Sequence, residues 1–153
     1  MAKGSLQIVR DILQEYADRG IFRGFAENRS GQFQFVWLHQ HQMHLRADTA
    51  MHTLRFAGLF PAITARSQMY AELKRYIQER HDRAVPEHRR VDRRRAEVTC
   101  SNRNASVSII LTVKNRQYAY GVKKIVNLVH DIFLHLRDVY PEYLMENFDV
   151  PQE

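Results

Sequence analysis

The sequence predicts an α+β fold: a two-layer sandwich of order α-β(3-4)-α-β-β-α, with an antiparallel sheet and the helices packed on one face. Three observations predict it. Ala105, Val107, Ile109, Leu111 and Val113 place an apolar residue at every second position, with Ser106, Ser108 and Thr112 between them. Past Gln117 the period lengthens to that of a helix, with Val122, Ile125, Val126, Val129, Ile132, Phe133 and Leu136 on one side. Upstream, isolated helical patterns alternate with runs of strand patterns joined by short turns, which is how helices come to cover one side of an antiparallel sheet.

A first helix is expected from about Ser5 to Arg19, with Leu6, Ile8, Val9, Ile12, Leu13 and Tyr16 on its apolar side. Gly20, free to take a positive φ, ends it. Ile21 to Ala26 reads as a strand, Asn28-Arg29-Ser30-Gly31 as a tight connection, and Gln32 to Leu38 as an aromatic strand. Two shorter strands, Met43 to Arg46 and His52 to Phe56, are expected around a turn at Asp48-Thr49-Ala50. After Pro61, a helix from about Arg66 to His81 carries the stripe Met69, Tyr70, Leu73, Tyr76 and Ile77. Ala84 to Arg90 is a polar, proline-containing loop. The strand Val91 to Ser101 turns at Asn102-Arg103-Asn104, where asparagine tolerates the left-handed conformation, into the strand Ala105 to Lys114. The long helix follows, then a short helical piece from Pro141 to near Phe148, and Pro151 marks the tail.

The chain has 153 residues, 44% of them hydrophobic, which suits one domain, 1–153, with a tail from about residue 149 expected to be flexible. A single cysteine, Cys100, excludes an internal disulfide and points to a reducing compartment, the cytoplasm. The first residues carry no apolar leader run, and no stretch approaches the roughly 18 apolar residues of a membrane span, so no membrane association is expected. A formal net charge of +6 permits contact with nucleic acid or acidic partners, although 17 carboxylates temper it.

With the element order in hand, the chain resembles the class I type III secretion chaperones in architecture and the YbjN-like bacterial proteins in particular segments. Those segments are Thr53-Leu54-Arg55-Phe56 running into Leu59-Phe60-Pro61, and Gly121-Val122 opening a helix with Asn127-Leu128-Val129-His130-Asp131-Ile132-Phe133. The resemblance spans nearly the whole chain and rests on packing patterns. It implies a small dimerising domain that holds another polypeptide without a cofactor. The secretion chaperones are typically acidic, whereas this chain is basic, so the architecture carries over and the chaperone activity does not.

Three groups of residues are candidate sites. Phe33, Phe35 and Trp37 share one face of a strand whose other face carries Val36 and Leu38, and a strand apolar on both faces must be covered twice. A second subunit or a protein partner would supply the second cover, unless a local bend tucks the aromatics away. Leu134, alone on the polar side of the long helix beside His130 and Arg137, belongs to the same candidate surface. The second group is arginine-rich: Arg80, Arg83, Arg89, Arg90, Arg93, Arg94, Arg95 and Arg103. On a strand, Arg93 and Arg95 would share a face with Glu97 and Thr99, and with Arg89 and Arg90 they would form a stripe suited to carboxylates or to phosphates, as in nucleic acid. Glu79, Asp82, Glu87, Asp92 and Glu97 lie among them, and a self-paired solvated surface is the competing reading.

The third group is His39, His41 and His44, a weak metal candidate that matches no metal motif. Cys100, on the face of Ala96 and Val98, is expected to be buried and inert. No nucleophile motif, glycine-rich phosphate loop or His-Glu-x-x-His occurs. The sequence therefore predicts a non-enzymatic, homodimeric protein-binding domain, chaperone-like or regulatory, with no small-molecule cofactor. The alternative is a nucleic-acid-associated protein that uses the arginine stripe.

Overall fold

The computed structural model describes residues 4–150, so both the first three residues and the part of the expected tail beyond Val150 lie outside the described residues. Asp149 and Val150 are ordered at the end of the last helix, Asp149 in the left-handed conformation and the Val150 amide on the Leu144 carbonyl. The elements run α1 (Ser5–Asp18), β1 (Arg23–Arg29), β2 (Gln32–Trp37), β3 (His41–Asp48), β4 (Thr53–Phe60), α2 (Gln68–Glu79), β5 (Ala96–Arg103), β6 (Ser106–Val113), α3 (Tyr118–Val139) and α4 (Pro141–Phe148). This is the expected α+β sandwich, with four strands between the first two helices.

The six strands form one antiparallel sheet in the order β1-β2-β3-β4-β6-β5. Its register aligns apolar residues into rows. Phe33 pairs with Leu45, Leu45 with Phe56, Phe56 with Ile109 and Ile109 with Cys100. One step along, Ala47, Leu54, Leu111 and Val98 make a second row. Because side chains alternate across a strand, both rows face the helices, while Gln32, Gln34, His44, Arg46 and Arg55 face away. Ser108 is the buried polar residue of the sheet; its hydroxyl accepts from the Gly58 amide at 2.9 Å, where the β4–β6 register slips.

Local sequence explains the element ends. The Ile21 amide reaches the Tyr16 carbonyl and the Gly20 amide the Ala17 carbonyl, a paired closure that needs the positive φ of Gly20 (79°). Ser67 caps α2 by accepting from the Tyr70 amide at 3.1 Å, so that helix begins after Ser67 rather than at Arg66. The β5–β6 hairpin turns on Asn104 and Ala105, both at positive φ, not on residues 102–104. Asn102 stays in the ladder opposite Val107 and donates its side-chain amide to the Ile63 carbonyl at 2.6 Å.

The start of β5 also differs from expectation. Residues 91–95 are not strand: the Asp92 carboxylate accepts the Arg94 amide, and the Arg95 and Ala96 amides both reach the Asp92 carbonyl. That turn breaks the alternation, so Arg93 and Arg95 do not share a strand face with Glu97 and Thr99.

The core lies between the sheet and α1, α3 and α4. Phe22 stacks on Phe35 at 3.9 Å, and Phe35 meets Phe56 edge-on at 6.1 Å. Phe33 and Phe35 are each only 1% exposed within a single chain. The expectation of a docking surface at these two residues is thereby corrected: the chain's own Phe22, Phe25 and neighbouring side chains already cover them. α3 sits close to the sheet at Gly121, where an added Cβ would come within 3.1 Å of Leu111 and Val113 side-chain carbons.

Candidate anion-binding cleft

The 80–95 connection between α2 and β5 folds back on the start of α3, and the space between them is a cleft of about 700 Å³. Val85 and Val91 are buried and pin the connection to the core, and the Val91 amide bonds the Arg80 carbonyl. Pro86 opens a turn whose carbonyl receives both the Arg89 and Arg90 amides. From α3, the Tyr120 hydroxyl accepts the Asp92 amide at 2.8 Å, and Lys124 Nζ donates to the Glu87 and His88 carbonyls. From the other side, Lys114 Nζ donates to the Arg93 carbonyl at 2.7 Å. These contacts hold the connection in place before any ligand arrives.

The cleft is lined by Arg83, Arg90, Arg93, Arg94, Arg95 and Lys124 against two carboxylates, Glu87 and Asp92. Arg93 pairs with Glu97 at 2.8 Å and Arg94 with Asp92 at 3.3 Å. Arg83, Arg90, Arg95 and Lys124 form no ion pair among the described residues. Arg95 lies flat over the Tyr120 ring, 3.9 Å from its centroid, and donates to the Gln117 side chain. Burial pushes the Lys124 ammonium below the usual lysine value, and the nearby Arg95 and Arg90 charges add to that while Glu87 and Asp131 oppose it. Asp92 is held below the usual carboxylate range by the Arg94 amide and guanidinium.

His81 forms one wall. The Val98 amide donates to its Nε2 at 3.0 Å, so Nδ1 carries the ring proton and donates to the Gln78 carbonyl at 3.0 Å. Both nitrogens are hydrogen-bonded to the protein, so neither is offered to the cleft. The arrangement suits charge-assisted hydrogen bonds from guanidinium and ammonium groups to phosphate oxygens.

Of the arginines expected from sequence, Arg83, Arg90, Arg93, Arg94 and Arg95 come together here, while Arg80 and Arg103 do not line the cleft and Arg89 is exposed outside it. Lys124 and Tyr120 were not among the candidates. Their signal is the i, i+4 spacing on the polar side of the long helix, opposite a loop rich in the same charge.

The three histidines of the metal candidate do not converge. Leu38, His39 and Gln40 all have positive φ, which turns the chain and places His39 against Phe133 at 6.0 Å. His41 packs on Phe148 at 4.2 Å, and His44 is exposed on the helix-free face of the sheet. The reason is local: the turn rotates His39 out of the strand, and His44 lies an odd number of residues from His41, hence on the opposite face.

Trp37 is half-buried, edge-on to Phe22 and stacked on His130 at 6.3 Å. Leu134, also half-buried, lies one helical turn beyond His130. Trp37 and Leu134 are thus partly exposed, unlike the buried Phe33 and Phe35. Cys100 is half-buried rather than fully buried, and burial pushes its thiol up. Among the described residues no helix is long and apolar enough to cross a membrane. No family model, no curated protein and no solved structure matches the chain.

Proposed function

We propose that this chain is a non-catalytic binding domain that grips a phosphate-bearing polymer, nucleic acid first among such polymers, in the basic cleft. The observation that carries the reading is the gathering of Arg83, Arg90, Arg95 and Lys124, without ion-pair partners, in a cleft whose walls are already fixed. The cleft's cations outnumber its two carboxylates and repel one another, and a polyanion relieves that repulsion while releasing its own counterions. With four phosphates neutralised on a single strand, the logarithm of affinity should fall with the logarithm of salt with a slope of about −3. The test is anisotropy of labelled oligonucleotides from low to moderate salt, comparing the native chain with Arg90→Glu/Lys124→Glu. Binding that weakens steeply with salt and drops at least ~tenfold in the double variant supports the reading. No binding at low salt, or equal binding by the variant, contradicts it.

A second reading, a contact with a protein partner or a second copy of the chain, is favoured by one observation. Trp37 stacks on His130, Leu134 follows His130 by one helical turn, and both Trp37 and Leu134 remain partly exposed. Trp37→Ser with Leu134→Ser should then lower the mass seen by light scattering. An unchanged mass that is already monomeric rules this contact out as a self-interface. A cytoplasmic setting, argued from the single cysteine, and kinship with the YbjN-like proteins, argued from the segments quoted above, belong to the same set of proposals.

A further inference from the structure

The cleft does not end at its own rim. A second, narrower hollow of about 250 Å³ lies between α2 and the outer edge of β5, and His81 and Arg93 line both spaces. Beyond that junction the groove passes Lys74 and Gln78 of α2 and Glu97 and Thr99 of β5, the Glu97 carboxylate being paired with Arg93 and Lys114. Lys74 is exposed, and its ammonium lies 5.0 Å from the Tyr70 ring centroid without an ion pair among the described residues. Cations therefore occur in both spaces, with the His81 ring shared between them.

Three features narrow the occupant. The two spaces, about 700 and 250 Å³, are large enough to take a few nucleotides of one strand and too small to take a duplex. The aliphatic residues along the channel, Ile77, Val91 and Val98, are themselves 1–3% exposed, so no open apolar pocket exists to anchor peptide side chains. The aromatic ring in the cleft, Tyr120, is already covered by Arg95, so no free platform remains for stacking a base. Backbone charge is what the channel can recognise.

Building on the cleft reading above, we propose that the cleft and the α2–β5 groove form one continuous track for a single nucleic-acid strand, held by its phosphates without sequence preference. The strand would lie with one run of phosphates against Arg90, Arg95 and Lys124, pass the junction at Arg93, and end beside Lys74.

The experiment uses the full chain and fluorescent homopolymers of deoxythymidine and deoxyadenosine, four and about sixteen nucleotides long, with a duplex of the longer length, tripolyphosphate and polyglutamate as competitors. The longer strand should bind at least ~tenfold tighter than the shorter one and than the duplex, and the two base compositions should agree within about threefold. Lys74→Gln should shorten the salt slope of the longer strand by about one phosphate and leave the short strand unchanged. Gln78→Glu, a separate exposed change in the same groove, should weaken the longer strand only. Equal binding of duplex and strand, a strong base preference, or no effect of either groove variant overturns the track while leaving the cleft standing. Displacement by polyglutamate as effective as by tripolyphosphate overturns the nucleic-acid assignment. Failure of every phosphate-bearing probe to bind at low salt overturns the cleft itself.

Discussion

Phe35 and Lys124 show how far a residue's type speaks for its role. Phe35 sits on a strand with apolar residues on both faces, a pattern that sequence reads equally well as an interface or as a core position. The deciding partner, Phe22, lies 13 residues earlier, in the link between α1 and β1 that no periodicity describes. Phe35→Ala should cost roughly 3–5 kcal/mol by chemical denaturation, the value for emptying a buried aromatic site. An unchanged midpoint would show that the ring is not core. Lys124 was illegible for a different reason: its neighbours Glu87, Arg90 and Arg95 come from a loop more than 28 residues away, joined to it only in the fold.

Glu27 makes a pH-dependent prediction at the same scale. Its carboxylate takes the Arg10 guanidinium at 2.5 and 2.9 Å and the Gly31 amide at 2.9 Å, and the Arg10 contact above all holds it below the usual carboxylate range. A group that ionises at lower pH when folded stabilises the fold above its unfolded pKa, and that contribution disappears as pH falls through the lowered folded value. Glu27→Gln should therefore lower the melting temperature at neutral pH and make progressively less difference under acid conditions. A difference that is constant with pH would contradict the ion pair.

At the scale of elements, the long helix and the hairpin beneath it were legible because each repeats its own period over many residues. The α2–β5 connection was not. Val91, Arg93, Arg95, Glu97 and Thr99 mimic a strand's alternation, but Asp92 captures the Arg94 amide in a local turn that competes with the ladder. That competition converts an expected flat stripe into a recessed cleft. Asp92→Ala should free the turn and leave the β5–β6 pairing intact, which hydrogen exchange would register as faster exchange confined to residues 91–95. The packing of α3 has its own sensitive point. Gly121→Ala would press a methyl group against Leu111 and Val113 and should destabilise the fold by about 1–3 kcal/mol. A neutral Gly121→Ala would mean that the helix can back away from the sheet.

For the molecule as a whole, the helices cover one face of the sheet, and a group of cations without ion pairs among the described residues collects where the α2–β5 connection meets α3. Net charge alone did not locate that point, because the five interspersed carboxylates make the sequence read as self-neutralising. Only two of the cleft arginines, Arg93 and Arg94, in fact find carboxylates. The account stands or falls on whether a polyanion goes to that place. Titrating isotope-labelled protein with an oligonucleotide and mapping amide chemical-shift changes tests this directly. The account predicts that the shifts concentrate in residues 81–95 and 117–124. Shifts confined to the helix-free face of the sheet, around His44, Arg46 and Arg55, would contradict it.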